Sequence, residues 1–332
     1  MTIDSVDAAT RVIKNDSGEL KMSKQIKRVA VIGTGVIGAS WTALFLAKGL
    51  DVVATDIAPD AEARLRQYVD NAWPALEKFG LAPGASRDRL TFTADTRTAI
   101  AGADLVQENG PERIAVKQAL YSLLDETLPA DVIIASSSSG LTMSEIQSAC
   151  ERHPERCVIG HPFNPPHLIP LVEIVGGKQT SQDTIERTIA FYTSLGKKTI
   201  RLNKEVPGHV ANRLQAALWR EIVHLVATDV VSVEDADTAV CWGPGLRWGV
   251  MGPNMLFHLG GGQGGIEHFF DQFTGPMTAW WEVLGSPQIT AAVRQKMTAG
   301  VREEVAGRSI DQLAARRDEV LLGLLALRSE ER

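Results

Sequence analysis

Chemistry-bearing residues gather between positions 158 and 173, where a histidine, an amide and a carboxylate share a proline-stiffened backbone. His161 can accept a proton near neutral pH, because imidazole titrates close to that range. Glu173 can orient the ring and stabilise the imidazolium that forms. Pro162, Pro165, Pro166 and Pro170 fix φ and lack N–H donors, so the stretch reads as a rigid bend between a strand ending near His161 and another starting near Leu171. The same residue types also describe a buried histidine paired with a glutamate for structural reasons, and the stretch alone supports either reading.

Composition narrows what such a site could act on. With 332 residues, 44% of them hydrophobic, the chain is long enough for one large or two ordinary domains with a proper core. A net charge of −6 offers no basic face to nucleic acid or to an anionic membrane, which leaves a small molecule as the expected partner. Cys150, Cys157 and Cys241 are odd in number and widely spaced, without a Cys-x-x-Cys pair. That argues against a disulfide framework or a metal site and for the reducing cytoplasm. No apolar run approaches the roughly 18 residues of a membrane span, and the first twenty or so residues lack the apolar core of a signal peptide.

The elements that must position the site start with Lys27 to Ile32, a short β-branched run suited to a buried parallel strand. It is followed at once by Gly33, Gly35 and Gly38 at Gly-x-Gly-x-x-Gly spacing. A helix with Ile37, Trp41, Leu44 and Phe45 on one face then runs to Gly49, and a second strand over Asp51–Thr55 is closed by Asp56. The glycine spacing by itself is a weak signal. Strand, glycine loop, helix, strand and terminal acid in this order are what a dinucleotide fold requires. Gly33 permits the tight turn, Gly35 lets the backbone approach a pyrophosphate, and Gly38 lets the helix pack on the sheet. The N–H groups of the first turn, Val36 and Ile37, face the phosphates with the positive end of the helix dipole. Asp56 is placed to bond the ribose hydroxyls and to repel a 2′-phosphate, so NAD rather than NADP is the expected cofactor.

The α/β alternation continues with a helix over about 60–79 and strands over Leu90–Thr93 and Asp104–Glu108. A helix is expected to start within Asn109–Glu112 and run through Lys117, placing Glu112 and Lys117 at the carboxyl edge of the sheet, although solvated helix charges are the usual use of such residues. The strand Val132–Ala135 delivers Ser136, Ser137, Ser138 and Ser139 to that same edge. Ser139 is the hydroxyl singled out for substrate, while the run also suits the cap of a helix from about Thr142. A helix over Thr180–Leu195 and a strand over Lys198–Leu202 finish the domain. Residues 1–25, polar and without an apolar period, read as a mobile extension; 26–205 form the nucleotide-binding domain. Beyond Val206 the texture becomes helical, with Ala211, Leu214, Leu218, Ile222 and Leu225 at helical spacing and five of the seven tryptophans in 206–332. The expected fold class is α/β, an N-terminal Rossmann-type domain followed by an all-helical C-terminal domain.

The glycine loop, the serine run, the His161–Glu173 segment and the Val206–Arg213 segment, in this order, resemble the L-3-hydroxyacyl-CoA dehydrogenase superfamily over about residues 27–285. Within it, residues 71–86, the Gly160–Pro165 stretch and Gly245-Leu-Arg-Trp248 look most like the L-carnitine 3-dehydrogenases. Lambda-crystallin and L-gulonate 3-dehydrogenase look like more distant relatives. Two stretches, Ser136–Gly140 and Val250–Met255, depart from the pattern. The resemblance implies an NAD-binding domain, a helical dimerisation domain, and catalysis by residues that fall on Ser139, His161, Glu173 and Asn212. It assigns Asp56, Glu112 and Lys117 to the cofactor. The implied reaction is NAD-dependent oxidation of the 3-hydroxyl of L-carnitine, with another free L-3-hydroxy acid such as a sugar acid, or a 3-hydroxyacyl-CoA, as alternatives. A non-catalytic NAD-binding protein is the rival of a different class. A free carboxylate calls for a cation, and Arg247 has the planar fork for it, unless it serves a structural ion pair. A trimethylammonium calls for aromatic faces, for which Trp242, Trp248 and Phe257 stand in one glycine-rich region, unless they are core.

Overall fold

The structure, a computed structural model, describes residues 12–14, 20–22 and 25–329. The extension expected over 1–25 otherwise lies outside the described residues; within it β1 (Val12–Lys14) pairs antiparallel with β2 (Leu20–Met22). The chain divides into two compact units, Met1–Ala211 and Asn212–Arg332. The change of texture at Val206 precedes this division by a short segment that belongs to the first unit.

Eight strands make one sheet in the first unit: β3 (Arg28–Ile32), β4 (Asp51–Thr55), β5 (Leu90–Thr93), β6 (Leu105–Glu108), β7 (Ile133–Ser136), β8 (Cys157–Pro162), β9 (Leu171–Gly176) and β10 (Lys198–Leu202). Their order is β10-β9-β8-β7-β6-β3-β4-β5. From β8 to β5 all neighbours are parallel, and the direction of winding reverses between β3 and β6, the switch point at which open α/β sheets bind ligands. β9 runs antiparallel to β8, and β10 parallel to β9. The central strands β6 and β7 are buried along their whole length: each begins with apolar residues and ends at the carboxyl edge in polar ones, Gln107 and Glu108 in β6 and Ser136 in β7.

Six helices serve this sheet: α1 (Val36–Ala47), α2 (Ala61–Phe79), α3 (Thr96–Ile100), α4 (Ile114–Thr127), α5 (Met143–Gln147) and α6 (Gln182–Ser194). α1 was expected to bury one face, yet every residue from Gly38 to Ala47 is buried. Trp41 stacks on Phe45 at 5.3 Å and against Tyr192 of α6 at 5.2 Å, so the dinucleotide helix is a core element packed all round. α4 begins later than the expected start at Asn109–Glu112. The Asn109 amide is committed to the carbonyls of Ile32 and Gln107, and Glu112 to the serine loop, which holds this stretch as a loop and leaves the helix to start at Ile114.

The second unit carries α7 (Ala211–Ala227), α8 (Val233–Trp242), α9 (Pro244–Trp248), α10 (Pro253–Gly260), α11 (Gly265–Val283), α12 (Ala291–Val305) and α13 (Ile310–Ser329), with no strand among its described residues. Its internal core is small: Val226, Val233 and Ala236, with Ile222, Val231 and Met297 against them. The expected apolar stripe of α7 is not the buried one. Val223 and Val226 are buried, whereas Leu214 is 67% exposed.

Candidate active site

Parallel pairing of β3, β4, β6, β7 and β8 brings their carboxyl ends to one edge of the sheet, and the reversal at β9 starts that strand at the same edge. His161 near the end of β8 and Glu173 near the start of β9 are direct antiparallel partners, so their side chains share one face. The proline bend supplies this register. His161 Nδ1 lies 2.8 Å from Glu173 Oε2, and the two residues are 6% and 0% exposed. A carboxylate accepts only, so Nδ1 carries the proton and Nε2 keeps a lone pair. Glu173 Oε1 accepts the N–H groups of Val210 at 2.8 Å and Ala211 at 3.0 Å. Burial pushes this carboxyl up, but the His161 donor and these two N–H groups outweigh it and hold Glu173 below the usual carboxylate range. The result is an ionised, fully bonded carboxylate behind an imidazole whose reactive nitrogen is free.

The serine run meets Glu112. Ser138 Oγ donates to Glu112 Oε2 at 2.7 Å, while the N–H groups of Ser139 and Gly140 donate to Oε1 at 2.5 and 3.1 Å, and Ser139 Oγ adds a fourth bond at 3.1 Å. Burial again pushes up, and these donors bring the Glu112 carboxyl below its ordinary value. Ser139, half-buried, is thus held at the edge by its own backbone. The other serines turn inward: Ser136 Oγ donates to Glu108 and Ser137 Oγ to Asn109. Lys117 is 1% exposed, and its Nζ bonds both oxygens of the buried Glu108 at 2.7 and 2.8 Å and the Gly110 carbonyl at 3.3 Å. Lys117, which the resemblance assigns to the cofactor, is therefore half of a buried ion pair beneath the Asn109–Glu112 loop.

The glycine loop tests whether a dinucleotide fits. A Cβ at Gly33 would stand 2.8 Å from the Asn109 carbonyl at a φ of +83°, and one at Gly38 would stand 1.9 Å from the Gly33 carbonyl. Both are glycines for the protein's own packing. A Cβ at Gly35 meets nothing within 4 Å, which leaves open space over the N-terminus of α1, where no side chain caps the helix and Val36 is 58% exposed. Asp56 Oδ2 accepts the N–H and hydroxyl of Thr34 at 2.7 and 2.9 Å, tying the end of β4 to the loop. Burial raises the Asp56 carboxyl, and the bonds from Thr34 and Ala58 more than reverse this, so it stays ionised. These residues fit a pyrophosphate and a ribose. Gly38→Ala is expected to prevent proper folding. Gly35→Ala should keep the parent's melting temperature and bind NAD at least about tenfold more weakly by calorimetry; parent affinity in that variant would remove the phosphate assignment.

A family model described as 3-hydroxyacyl-CoA dehydrogenase, NAD binding domain, matches residues 28–206, and the C-terminal domain of the same family matches 208–301. The chain belongs to the 3-hydroxyacyl-CoA dehydrogenase family. It is an NAD-dependent dehydrogenase with an α/β nucleotide-binding domain and a helical C-terminal domain. It is 48% identical to the L-carnitine dehydrogenase of Bacillus cereus over 91% of this chain and 92% of that one. The L-carnitine dehydrogenase of Streptomyces griseus is also 48% identical, over 91% of this chain and 90% of the relative. Among solved structures, a 5-formyl-3-hydroxy-2-methylpyridine 4-carboxylic acid 5-dehydrogenase, an NAD+ dependent dismutase, superposes with a TM-score of 0.79 at 33% identity, covering 91% of this chain and 98% of that one.

Other expected site residues lie in the second unit. Asn212 is the second residue of α7. Arg247 and Trp248 end α9, Trp242 ends α8 and is 78% exposed, and Phe257 of α10 stacks on Phe269 of α11 at 4.5 Å. No described helix is long and apolar enough to cross a membrane. Two site residues escaped the sequence reading. Glu108 signalled itself only as an acid closing an apolar strand. His209 had no spacing rule to betray it, yet its ring lies 5.0 Å from that of His161.

Proposed function

We propose that this chain oxidises the 3-hydroxyl of L-carnitine to the 3-ketone. The observation that carries the reading is the His161–Glu173 pair at the sheet edge that also bears the serine run, the glycine loop and Asp56, in a chain 48% identical to L-carnitine dehydrogenases. NAD, when bound, supplies the acceptor for the hydride on C3. His161 Nε2 takes the hydroxyl proton, and ionised Glu173 stabilises the imidazolium through Nδ1. Ser139 and Asn212 bond the substrate oxygen. Asp56 would hold the adenosine ribose, Val36 and Ile37 would offer N–H groups to the phosphates, and Glu112 would serve the nicotinamide ribose. Lys117 acts from below, holding the loop that carries Glu112. Arg247 takes the substrate carboxylate and Trp242, Trp248 and Phe257 the trimethylammonium. The working unit is a homodimer in the cytoplasm built on the C-terminal helices, a reading supported by the exposed Leu214, Trp219, Trp280 and Trp281; a single-chain mass by light scattering would count against it.

A trimethylammonium donates no hydrogen bond, so the test compares L-carnitine with an analogue whose quaternary nitrogen is carbon, in a panel that includes other 3-hydroxy acids. Loss of one good cation–π contact, about 1.4 kcal/mol, should lower kcat/KM roughly tenfold. Equal turnover of the neutral analogue would point to another free 3-hydroxy acid as the substrate.

A further inference from the structure

His209 takes no part in the proton transfer described above, yet it is buried between the serine run and His161. It is 3% exposed, and its Nε2 lies 3.0 Å from the Ser138 carbonyl oxygen. A carbonyl only accepts, so the proton sits on Nε2. Nδ1 is buried with no hydrogen-bond partner among the described residues. Burial pushes the His209 imidazole down, the Ser138 carbonyl pulls it part of the way back, and the neighbouring His161 lowers it again. The ring is therefore neutral at neutral pH, a fixed donor rather than a charge.

Two further features show that this placement is enforced. Gly208 and His209 are both left-handed, at φ +77° and +49°, a region uncommon for residues other than glycine. The turn they make sends the next two N–H groups, of Val210 and Ala211, onto Glu173 Oε1 and lays the His209 ring against His161. The peptide between Ser138 and Ser139 is thus gripped at both poles. His209 donates to its oxygen, and its N–H donates to Glu112 Oε1 at 2.5 Å. A phenylalanine would fill the same space and leave that buried carbonyl without its donor.

We infer that His209 is a positioning residue for the reaction, which locks the Ser138–Ser139 peptide and thereby sets the Ser139 hydroxyl against the His161 base. The inference rests on the roles given above to His161 and Ser139. Those roles fail separately, if His161→Ala or Ser139→Ala keeps its activity, whereas this one is read from ratios among variants at position 209.

The experiment measures kcat, KM for NAD and thermal stability of the full chain, using whichever 3-hydroxy acid the parent turns over. Glutamine places an amide donor where Nε2 stands and does not titrate; asparagine suits a left-handed backbone but places its amide near Nδ1. His209→Phe should lose roughly ten- to a hundredfold in kcat with KM for NAD within about threefold of the parent. His209→Gln should recover most of that loss, and His209→Asn should not. Parent-like kcat in His209→Phe, or a folded His209→Gln no better than His209→Asn, would overturn the inference. So would a loss confined to the KM for NAD. If the phenylalanine variant fails to fold, the glutamine and asparagine pair decides.

Discussion

Replacing His161 by alanine is expected to lower kcat by roughly 10²- to 10⁴-fold, the range for loss of a general base, while NAD binding measured by calorimetry stays unchanged. The expectation follows from tautomer control. Nδ1 is spent on Glu173 at 2.8 Å, so Nε2 alone can accept the substrate proton. Glu173→Gln probes the same point from behind. Its single oxygen must serve either the N–H groups of Val210 and Ala211 or the His161 ring. If the backbone pair keeps the oxygen, the amide NH2 faces Nδ1 and drives the imidazole proton to Nε2, which removes the base. A loss of about 10²-fold or more is expected; near-normal kcat in either variant would refute the assignment. Acid should act similarly. The folded Glu173 carboxyl titrates below its ordinary value of 4.5, so the stability it contributes is fully present above that value and is lost as pH falls through the lower, folded one.

The second large effect is on stability. Lys117→Met should leave the Glu108 carboxylate, 0% exposed, without its cation, and breaking one side of a buried pair costs about 3–5 kcal/mol. For a unit of this size that is a fall in melting temperature on the order of 10 °C. The Glu108→Gln, Lys117→Met double variant should recover part of the loss, since the two residues share one network and their effects are not additive. A single variant that melts within about 2 °C of the parent would show that the pair carries no such burden. Beneath the Asn109–Glu112 loop, the pair joins the sheet's stability to the geometry of the site, because the Gly110 N–H and carbonyl are both drawn into it.

Much of this was legible in order along the chain. The short β-branched runs, the glycine spacing, Asp56 at a strand end and the change to helical periodicity after Val206 are local signals. They determined the elements, the dinucleotide loop and the family. Hydrophobic period and glycine conformation act within a few residues, so they survive in a linear reading. The limits of the same signals are visible in α4, where side chains of Asn109 and Glu112 bonded elsewhere delay the helix, and in α1, where packing from all sides erased the amphipathic face.

The tertiary structure alone decided the partnerships. Only the antiparallel register of β8 and β9 makes His161 and Glu173 neighbours on one face. Only the meeting of β6 with α4 makes Lys117 the buried counter-ion of Glu108. Only the left-handed turn at Gly208 and His209 brings a ring to a carbonyl 71 residues earlier in the chain. Such contacts depend on strand order and on which polar groups are left without water once the sheet edge is assembled. Neither quantity is encoded in the spacing of the residues themselves.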